Sequence, residues 1–353
     1  MPVISSKIDV AGEAFARNRA HMLSLIETLR SLEARAREKS AQAKPLFERR
    51  GQLLPRERVA RLLDIGAPWL ELSSIAGYGF DTTDLDKSVP GGGMIAGIGY
   101  LSGVRCMVVA SDSGIDAGAI QHMGREKLLR AQELALANKL PFVHLVESAG
   151  ANLLRYRVEG FIHGGAIFHN LAKLSAAGIP VISIVHGSST AGGAYQTGLA
   201  DYIVLVRKRS KVFLAGPPLL KAATGEIAHE EALGGAEMHA VTTGLGEYLA
   251  EDDADALRIA RDIIAKMAWN DNLPFRAPRA YKPPRYDAEE LIGIVPVDYR
   301  KPYEVREVIA RIVDDSDFLD FKPRLMHLFG PAKICLSLFR SAFKTPEFSL
   351  LFC

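Results

Sequence analysis

Residues 180–195 read PVISIVHGSSTAGGAY: a proline, an apolar run, and then a turn that puts Gly192 and Gly193 where a helix begins. An unbroken apolar run bounded by turn residues reads as a strand buried on both faces. Gly178 and Pro180, just upstream, are a helix stop followed by a strand start. Such a strand belongs in the middle of a sheet covered by helices on either side.

Working outward, the same grammar repeats. VRCMVVASD (104–112) reads as a strand, KLLRAQELALANK (127–139) as a helix, PFVHLVESAG (141–150) as a strand, AIFHNLAKLSAAG (166–178) as a helix, and YIVLVRK (202–208) as a strand after a short helix. Buried strands alternating with helices predict an α/β sheet with right-handed crossovers. Two successive units end alike, in ESAGAN (147–152) and HGSSTAGGA (186–194). Parallel strands bring their carboxyl ends together, where open α/β sheets bind ligands, so these two loops are expected to face one cavity.

Further out, Met22, Leu25, Ile26, Leu29 and Leu32 space an amphipathic helix over 15–39, an arm or a lid. A short helix starts at Pro55, and Gly91, Gly92 and Gly93 precede another strand-like segment, where they fit a hairpin. Downstream, GPPLLKAATGE and EEALGGAEMH form helix and loop, and 251–269 is a capped amphipathic helix with acids in its first turn. The proline-rich stretch 273–287 reads as an extended linker, 303–321 as one more helix with its cap, and the last residues show no periodicity.

The chain has 353 residues, 48% of them hydrophobic, enough for one large core or two. A net charge of +2 with both signs mixed along the chain excludes a nucleic-acid footprint. Three cysteines, Cys106, Cys335 and Cys353, are too few and too scattered for a disulfide framework or a zinc site, and they read as packing residues in a reducing compartment. The first residues lack the pattern of a signal or transit peptide, and no run reaches the length of a membrane span. The expectation is a cytoplasmic protein without membrane or metal.

Glycines at a strand-to-helix turn let a ligand approach main-chain N–H groups at the positive end of a helix dipole. A glycine pair alone fits tight helix-to-sheet packing equally well; its recurrence in two neighbouring loops favours an anion cradle. Amides of Gly192 or Gly193, with one from the Ala149, Gly150, Ala151 loop, would form a two-donor hole for a thioester oxygen turning into an enolate.

ESAGANL, SAAGIP, GSSTAGGAY, AGPPLLKAATGE and LGGAEMH together resemble the carboxyltransferase (beta) subunits of biotin-dependent acyl-CoA carboxylases. GSSTAGGAY with IAGYGF is most similar to the methylcrotonoyl-CoA and geranyl-CoA branch, and the resemblance covers about residues 15–324. It implies a crotonase-like (ClpP/crotonase) α/β fold of repeated ββα units and an N-terminal carboxyltransferase domain. It implies acyl-CoA as substrate, carboxybiotin carried by a biotin carboxylase and biotin carrier alpha subunit as CO2 donor, a homo-oligomer of beta subunits, and a role in leucine catabolism for the methylcrotonoyl branch. On this resemblance Gly150, Ala151, Gly192 and Gly193 take the catalytic positions, and Ala149, Ala191, Tyr195 and His163 line the CoA ester; the biotin ureido group removes the acyl proton, so no protein nucleophile or metal is required.

The domain division expected is a helical arm over 1–50, the crotonase-like domain over 51–272, the linker and helix over 273–324, and a tail over 325–353. Family members continue into a second crotonase-like domain, and GPAKICL (330–336) resembles its opening strand, so the chain is expected to lack the biotin-side oxyanion hole. Two further departures concern the loops. Ser148–Ala149–Gly150 stands where the family has a double glycine after the serine, and Asp116–Ala117–Gly118 where many members have a lysine and two glycines.

Other residues have competing readings. Arg49, Arg50, Arg56 and Arg58 suit CoA phosphates or a solvated helix face, the latter being expected. Arg207, Lys208, Arg209 and Lys211 read as a charged hairpin tip. The histidines His144, His163, His169, His186 and His239 show no ligand spacing, and a strand histidine such as His144 reads as a satisfied core residue. Ser148 has no recognisable general base. Glu147 beside the loops would serve a biotin-independent hydratase, isomerase or decarboxylase, and a non-catalytic assembly partner of full-length beta subunits is the third reading.

Overall fold

The computed structural model describes residues 4–80, 82–151, 158–273 and 282–318. The chain divides into two compact units, Leu32–Pro274 on the one hand and Met1–Ser31 with Phe275–Cys353 on the other. In chain order the helices are α1 (Glu13–Ala41), α2 (Lys44–Arg49), α3 (Pro55–Leu62), α4 (His122–Asn138), α5 (Val158–Ala176), α6 (Gly192–Gly198), α7 (Pro217–Thr224), α8 (Glu230–Gly234), α9 (Ala236–Met238), α10 (Asp253–Lys266), α11 (Leu291–Ile294) and α12 (Val305–Ile309). The strands are β1 (Leu70–Glu71), β2 (Met94–Leu101), β3 (Val104–Ser111), β4 (Phe142–Ser148), β5 (Val181–Thr190), β6 (Tyr202–Val206), β7 (Lys211–Phe213) and β8 (Tyr248–Ala250).

The larger unit is built on one mixed sheet in the order β1-β2-β3-β4-β5-β6-β8. Its first three strands are antiparallel, and from β3 onward all pairings are parallel. The antiparallel step is a two-residue hairpin: Ser102 (φ 49°) and Gly103 (φ 78°) both take the left-handed conformation that a tight turn of this hand requires. Gly91, Gly92 and Gly93 are also left-handed, but they form a turn ahead of β2, not the hairpin expected of them.

All seven residues of β4 are buried, which accounts for their lack of polar alternation. Alternate residues divide between two faces. Val108, Val143, Leu145, Ile182, Ile184, Val204 and Val206 pack with Val59 and Leu62 of α3 and Leu257, Ala260 and Ile264 of α10. Val146, Val185, Ile203 and Leu205 pack with Ala194 of α6, Val212 of β7 and Ala236 of α9. Each such aliphatic side chain taken fully from water stabilises the fold by about 1.5–3 kcal/mol. Gly178 (φ 71°) ends α5, and left-handed Lys139 (φ 51°) ends α4 ahead of Leu140 and Pro141. Asp252 caps α10 by accepting from the Asp255 amide at 2.9 Å.

The charged stretch 207–210 is a tight turn, but its flanking strands do not form a hairpin. Both β6 and β7 run parallel to β5, β6 along 182–185 and β7 along 188–190, so the turn is an excursion within one line of chain. Lys211 is consequently buried and ion-paired with Glu231.

The smaller unit centres on Arg311. Its guanidinium donates to Glu290 at 2.5 Å, to Glu307 at 3.0 Å and to Ser6 Oγ at 3.1 Å, and lies 5.1 Å from the centre of the Tyr286 ring. Of the helix expected across 303–321 the structure forms α12, five residues; the chain is extended at Val313 (ψ 150°) and left-handed at Asp315 and Ser316, and 319–321 lie outside the described residues. Residues 274–281 of the proposed linker and everything beyond 318, including GPAKICL, lie outside the described residues.

Candidate active site

The strand ends β4 and β5 lie side by side, with Ser148 in register with Ser189. Their following turns touch. A Cβ built on Gly150 would stand 3.1 Å from the Thr190 carbonyl oxygen and 3.5 Å from Ala191 Cβ, and one on Gly193 would stand 3.4 Å from Ser148 Cβ. A side chain at Gly150, whose φ of 87° also disfavours one, would press on the Thr190 carbonyl, whereas at Gly193 the contact across to Ser148 would be an ordinary one. The two loops paired from sequence therefore do meet at one place.

On the β5 side, Ala191 takes φ 52° and ψ −113°, a conformation unfavourable for an L-residue, and its amide is spent on the Phe213 carbonyl at 3.1 Å. This kink starts α6 immediately, so the N–H groups of Gly192, Gly193 and Ala194 fall in the first turn and have no hydrogen-bond partner among the described residues. With only seven residues in α6, the amides themselves, more than any summed helix dipole, are what the turn offers an oxygen.

On the β4 side the expected donors behave differently from one another. Ala149 avoids the left-handed region and gives its amide to the Ala117 carbonyl at 3.3 Å. Gly150 (φ 87°) donates inward to Ser148 Oγ at 3.1 Å and accepts at its carbonyl from the Ile120 amide at 2.8 Å. Ala151 is exposed, and its amide has no partner among the described residues. Asn152 to Arg157 lie outside the described residues.

Tyr195 is half exposed on α6 and packs against Phe168 of α5, ring centres 5.3 Å apart. His163, also on α5, is exposed and lies 3.3 Å from Glu126, whose carboxylate also accepts from Arg125. Among the described residues no hydrogen bond or ion pair joins His163 to the two turns.

Behind the turns sits a buried ionic cluster. Arg58 of α3, 2% exposed, donates to Glu147 Oε2 at 2.6 Å and to Asp253 Oδ2 at 3.1 Å, with its guanidinium 5.5 Å from the centre of the Phe47 ring. Glu147 also accepts from Ser113 Oγ at 2.8 Å and Gln52 Nε2 at 3.3 Å. Burial opposes ionisation of Glu147, but Arg58 beside it and the Ser113 hydrogen bond outweigh that and hold its carboxyl below the usual range. Burial, with Arg58 nearby, lowers the pKa of His186, so its neutral ring donates from Nδ1 to Asp253 Oδ1 at 2.9 Å. Asp253 likewise resists burial and is pushed down to about 2 by His186, Arg58 and the Leu53 amide.

This cluster corrects two expectations. Arg58 and Arg56 are not a solvated helix face: Arg58 is internal, and Arg56 grips Glu71 with two bonds of 2.9 and 3.0 Å. The signal was present, since Arg58 shares the spacing of Pro55, Val59 and Leu62, the buried stripe of α3. Glu147, fully engaged and ionised, is no free acid for hydratase chemistry. Ser113 and Gln52 carry no sequence signal of their role. His144 is buried and edge-on to Phe142, as a core residue, yet its Nε2 has no partner among the described residues. No group of metal-ligating side chains occurs among the described residues.

A sheet of repeated strand–helix units, with two amide-bearing turns touching at neighbouring parallel strand ends, defines the crotonase-like class of α/β proteins. The chain belongs to the carboxyl transferase domain family, which matches residues 48–327. It is similar to the geranyl-CoA carboxylase beta subunit of P. aeruginosa, with 55% identity and a TM-score of 0.84 over 92% of this chain and 60% of that one. It is 51% identical to a probable biotin-dependent acyl-coenzyme A carboxylase beta2 subunit of Mycobacterium tuberculosis, over 78% of this chain and 50% of the relative. It is 42% identical to a probable mitochondrial methylcrotonoyl-CoA carboxylase beta chain of Drosophila melanogaster, over 94% of this chain and 60% of the relative. The chain thus spans about half the length of the curated relatives it matches. No helix among the described residues is long and apolar enough to cross a membrane.

Proposed function

We propose that this chain carries the acyl-CoA half of a carboxyltransferase, moving CO2 from carboxybiotin on a partner alpha subunit to a CoA ester of the methylcrotonoyl or geranyl type. The observation that carries the proposal is the contact between the 149–151 and 190–193 turns, each with a main-chain N–H that has no partner among the described residues.

In this reading the amides of Ala151 and of Gly192 or Gly193 hold the thioester oxygen as the acyl chain loses a proton and its negative charge moves onto that oxygen. One donor of this kind supports the transition state by about 2.7–4 kcal/mol. Ala149, Gly150 and Ala191 shape the two turns, Tyr195 walls the acyl group, and His163 lines its outer approach. The side chains nearest the turns supply no base, because the Glu147 carboxylate is ion-paired and the Ser148 hydroxyl donates to the Gly118 carbonyl at 2.8 Å. That fits a reaction in which carboxybiotin, when bound, supplies both the CO2 and the proton acceptor. The assembled enzyme is a homo-oligomer of beta subunits that meets biotin carboxylase and biotin carrier segments, in the cytoplasm. The division into an arm over 1–50, a crotonase-like domain over 51–272 and a linker with helix over 273–324 belongs to the same proposal.

The test has two parts. Calorimetry should detect binding of 3-methylcrotonoyl-CoA or geranoyl-CoA to the chain, and labelled bicarbonate should enter that ester when the biotinylated alpha subunit and the second beta-subunit half are added. Absence of binding by either ester at millimolar concentration refutes the proposal.

A further inference from the structure

We infer that the Ser148 hydroxyl is a positioning group: it relays between the Gly118 carbonyl and the Gly150 amide, and so fixes which amide the 149–151 turn presents to a ligand. This inference rests on the reading of that turn as half of the thioester-oxygen site.

Ser148 ends β4 and is 2% exposed. Its hydroxyl donates to Gly118 O at 2.8 Å and accepts from Gly150 N at 3.1 Å. A hydroxyl is the smallest side-chain group that can do both at once. Around it, Ala149 N donates to Ala117 O at 3.3 Å and Ile120 N to Gly150 O at 2.8 Å. Two amides and a carbonyl of the turn are thus tied to the 117–120 segment or to Ser148, and only the Ala151 amide is left without a partner among the described residues. The relay turns Gly150 inward and makes Ala151 the outward donor.

The seat of this relay is itself unusual. Asp116, Ala117 and Gly118 are consecutively left-handed, with φ 47°, 49° and 70°, and a Cβ on Gly118 would collide with the Glu147 carbonyl. Only glycine lets the Gly118 carbonyl come this close to Ser148. Ala117 holds a conformation that glycine adopts freely, and its carbonyl is committed to the Ala149 amide, so the strained segment and the turn fix one another. Ser148 is not a nucleophile here, because its proton goes to a carbonyl and no basic side chain accepts it.

Two measurements test this. In the first, Ser148→Ala is compared with the unaltered chain by infrared spectroscopy of a bound CoA ester labelled at its thioester carbonyl. The unaltered chain should lower the carbonyl frequency, and Ser148→Ala should lose about half of that shift while ester affinity changes less than roughly threefold, since the hydroxyl does not touch the ligand. A full shift in the variant overturns the inference. In the second, amide hydrogen exchange is read in the unliganded, unaltered chain, where Gly150 should exchange roughly tenfold or more slowly than Ala151. Equal rates overturn the inference even if Ser148→Ala does not fold. Absence of any carbonyl shift in the unaltered chain, with Gly150 still protected, would instead refute the thioester-site reading and leave the relay standing as a feature of the turn.

Discussion

Replacing Arg58 by methionine tests how far one internal guanidinium holds the strand end behind the candidate site. Arg58 is 2% exposed and pairs with both Glu147 and Asp253, at 2.6 and 3.1 Å. Methionine fills similar volume, so little of the loss comes from packing, and the variant is left with two buried carboxylates, Glu147 without its ion-pair partner and Asp253 with only Arg209 Nη1 at 3.9 Å. Breaking a buried pair from one side costs about 3–5 kcal/mol, a large fraction of a domain's total stability of roughly 5–15 kcal/mol. The sign of the pH dependence follows from the two carboxyls. In the native chain their folded pKa values lie below the unfolded ones, so their contribution is present above about pH 4 and lost as pH falls through the folded values. In the variant Glu147 loses the charge that chiefly opposes its burial and its pKa rises, while His186 and the Leu53 amide still hold Asp253 down, so the penalty is carried mainly by Glu147, is present near neutrality and narrows in acid. Urea unfolding at pH 7 should therefore show a loss of about 3–5 kcal/mol that narrows as the pH approaches 4. Adding Glu147→Gln and Asp253→Asn to Arg58→Met should recover most of it. A loss below about 1 kcal/mol at pH 7, or a gap independent of pH, would refute the reasoning.

Three further outcomes are expected. Burial pushes His144 from 6.5 down to about 4, so its folded state is favoured above pH 6.5 and loses roughly 3 kcal/mol as pH falls to about 4; His144→Leu should flatten that part of a stability–pH curve measured by chemical denaturation. Gly118→Ala should cost at least about 3 kcal/mol in the same assay, combining about 1–2 kcal/mol for a left-handed alanine with displacement of the Glu147 carbonyl. Ala191→Gly should raise the thermal midpoint by a few degrees, because relief of about 1–3 kcal/mol of backbone strain exceeds the roughly 0.4–1 kcal/mol lost to a more flexible unfolded chain; a fall in midpoint would show that the kink at Ala191 carries no strain.

What sequence revealed and what it concealed divide along a physical line. Strands β3 to β6 were readable because both faces are buried along most of their length, 106–111, 142–148, 181–187 and 203–206, leaving no regular polar alternation. The meeting of the two glycine turns followed from the parallel order of β4 and β5. Which amides of the first turn are already engaged did not follow, because Gly150 gives its N–H to a serine hydroxyl two residues back, and no composition rule encodes that bond. The left-handed run at 116–118 was hidden for a related reason: Ala117 does not announce such a conformation, and the segment is held by contacts to 148–150 together with the Gln121 bond to Asp116 at 2.8 Å. The 207–210 turn misled in another way, since a charged turn between two short strands usually joins antiparallel partners, whereas β7 continues along β5 in the direction of β6.

Alternation along β4 gives the buried charges a reason to lie where they do. Glu147 and Ser148 are consecutive, so their side chains leave opposite faces of the strand. Glu147 is held by Arg58 on the α3 and α10 side, and it fills the space a side chain at Gly187 would need, since a Cβ on Gly187 would stand only 2.5 Å from Glu147 Oε1. Ser148 is held by Gly118 on the other side. The strand end is therefore gripped from both faces at adjacent residues, by an ion pair at Glu147 and by the hydroxyl of Ser148, and each grip engages a side-chain group that could otherwise exchange a proton with a ligand. A turn fixed in this way offers a ligand oriented main-chain N–H groups and very little acid–base chemistry, which is the division of labour expected of a site that steadies a thioester oxygen while proton removal is carried out by a group brought from elsewhere.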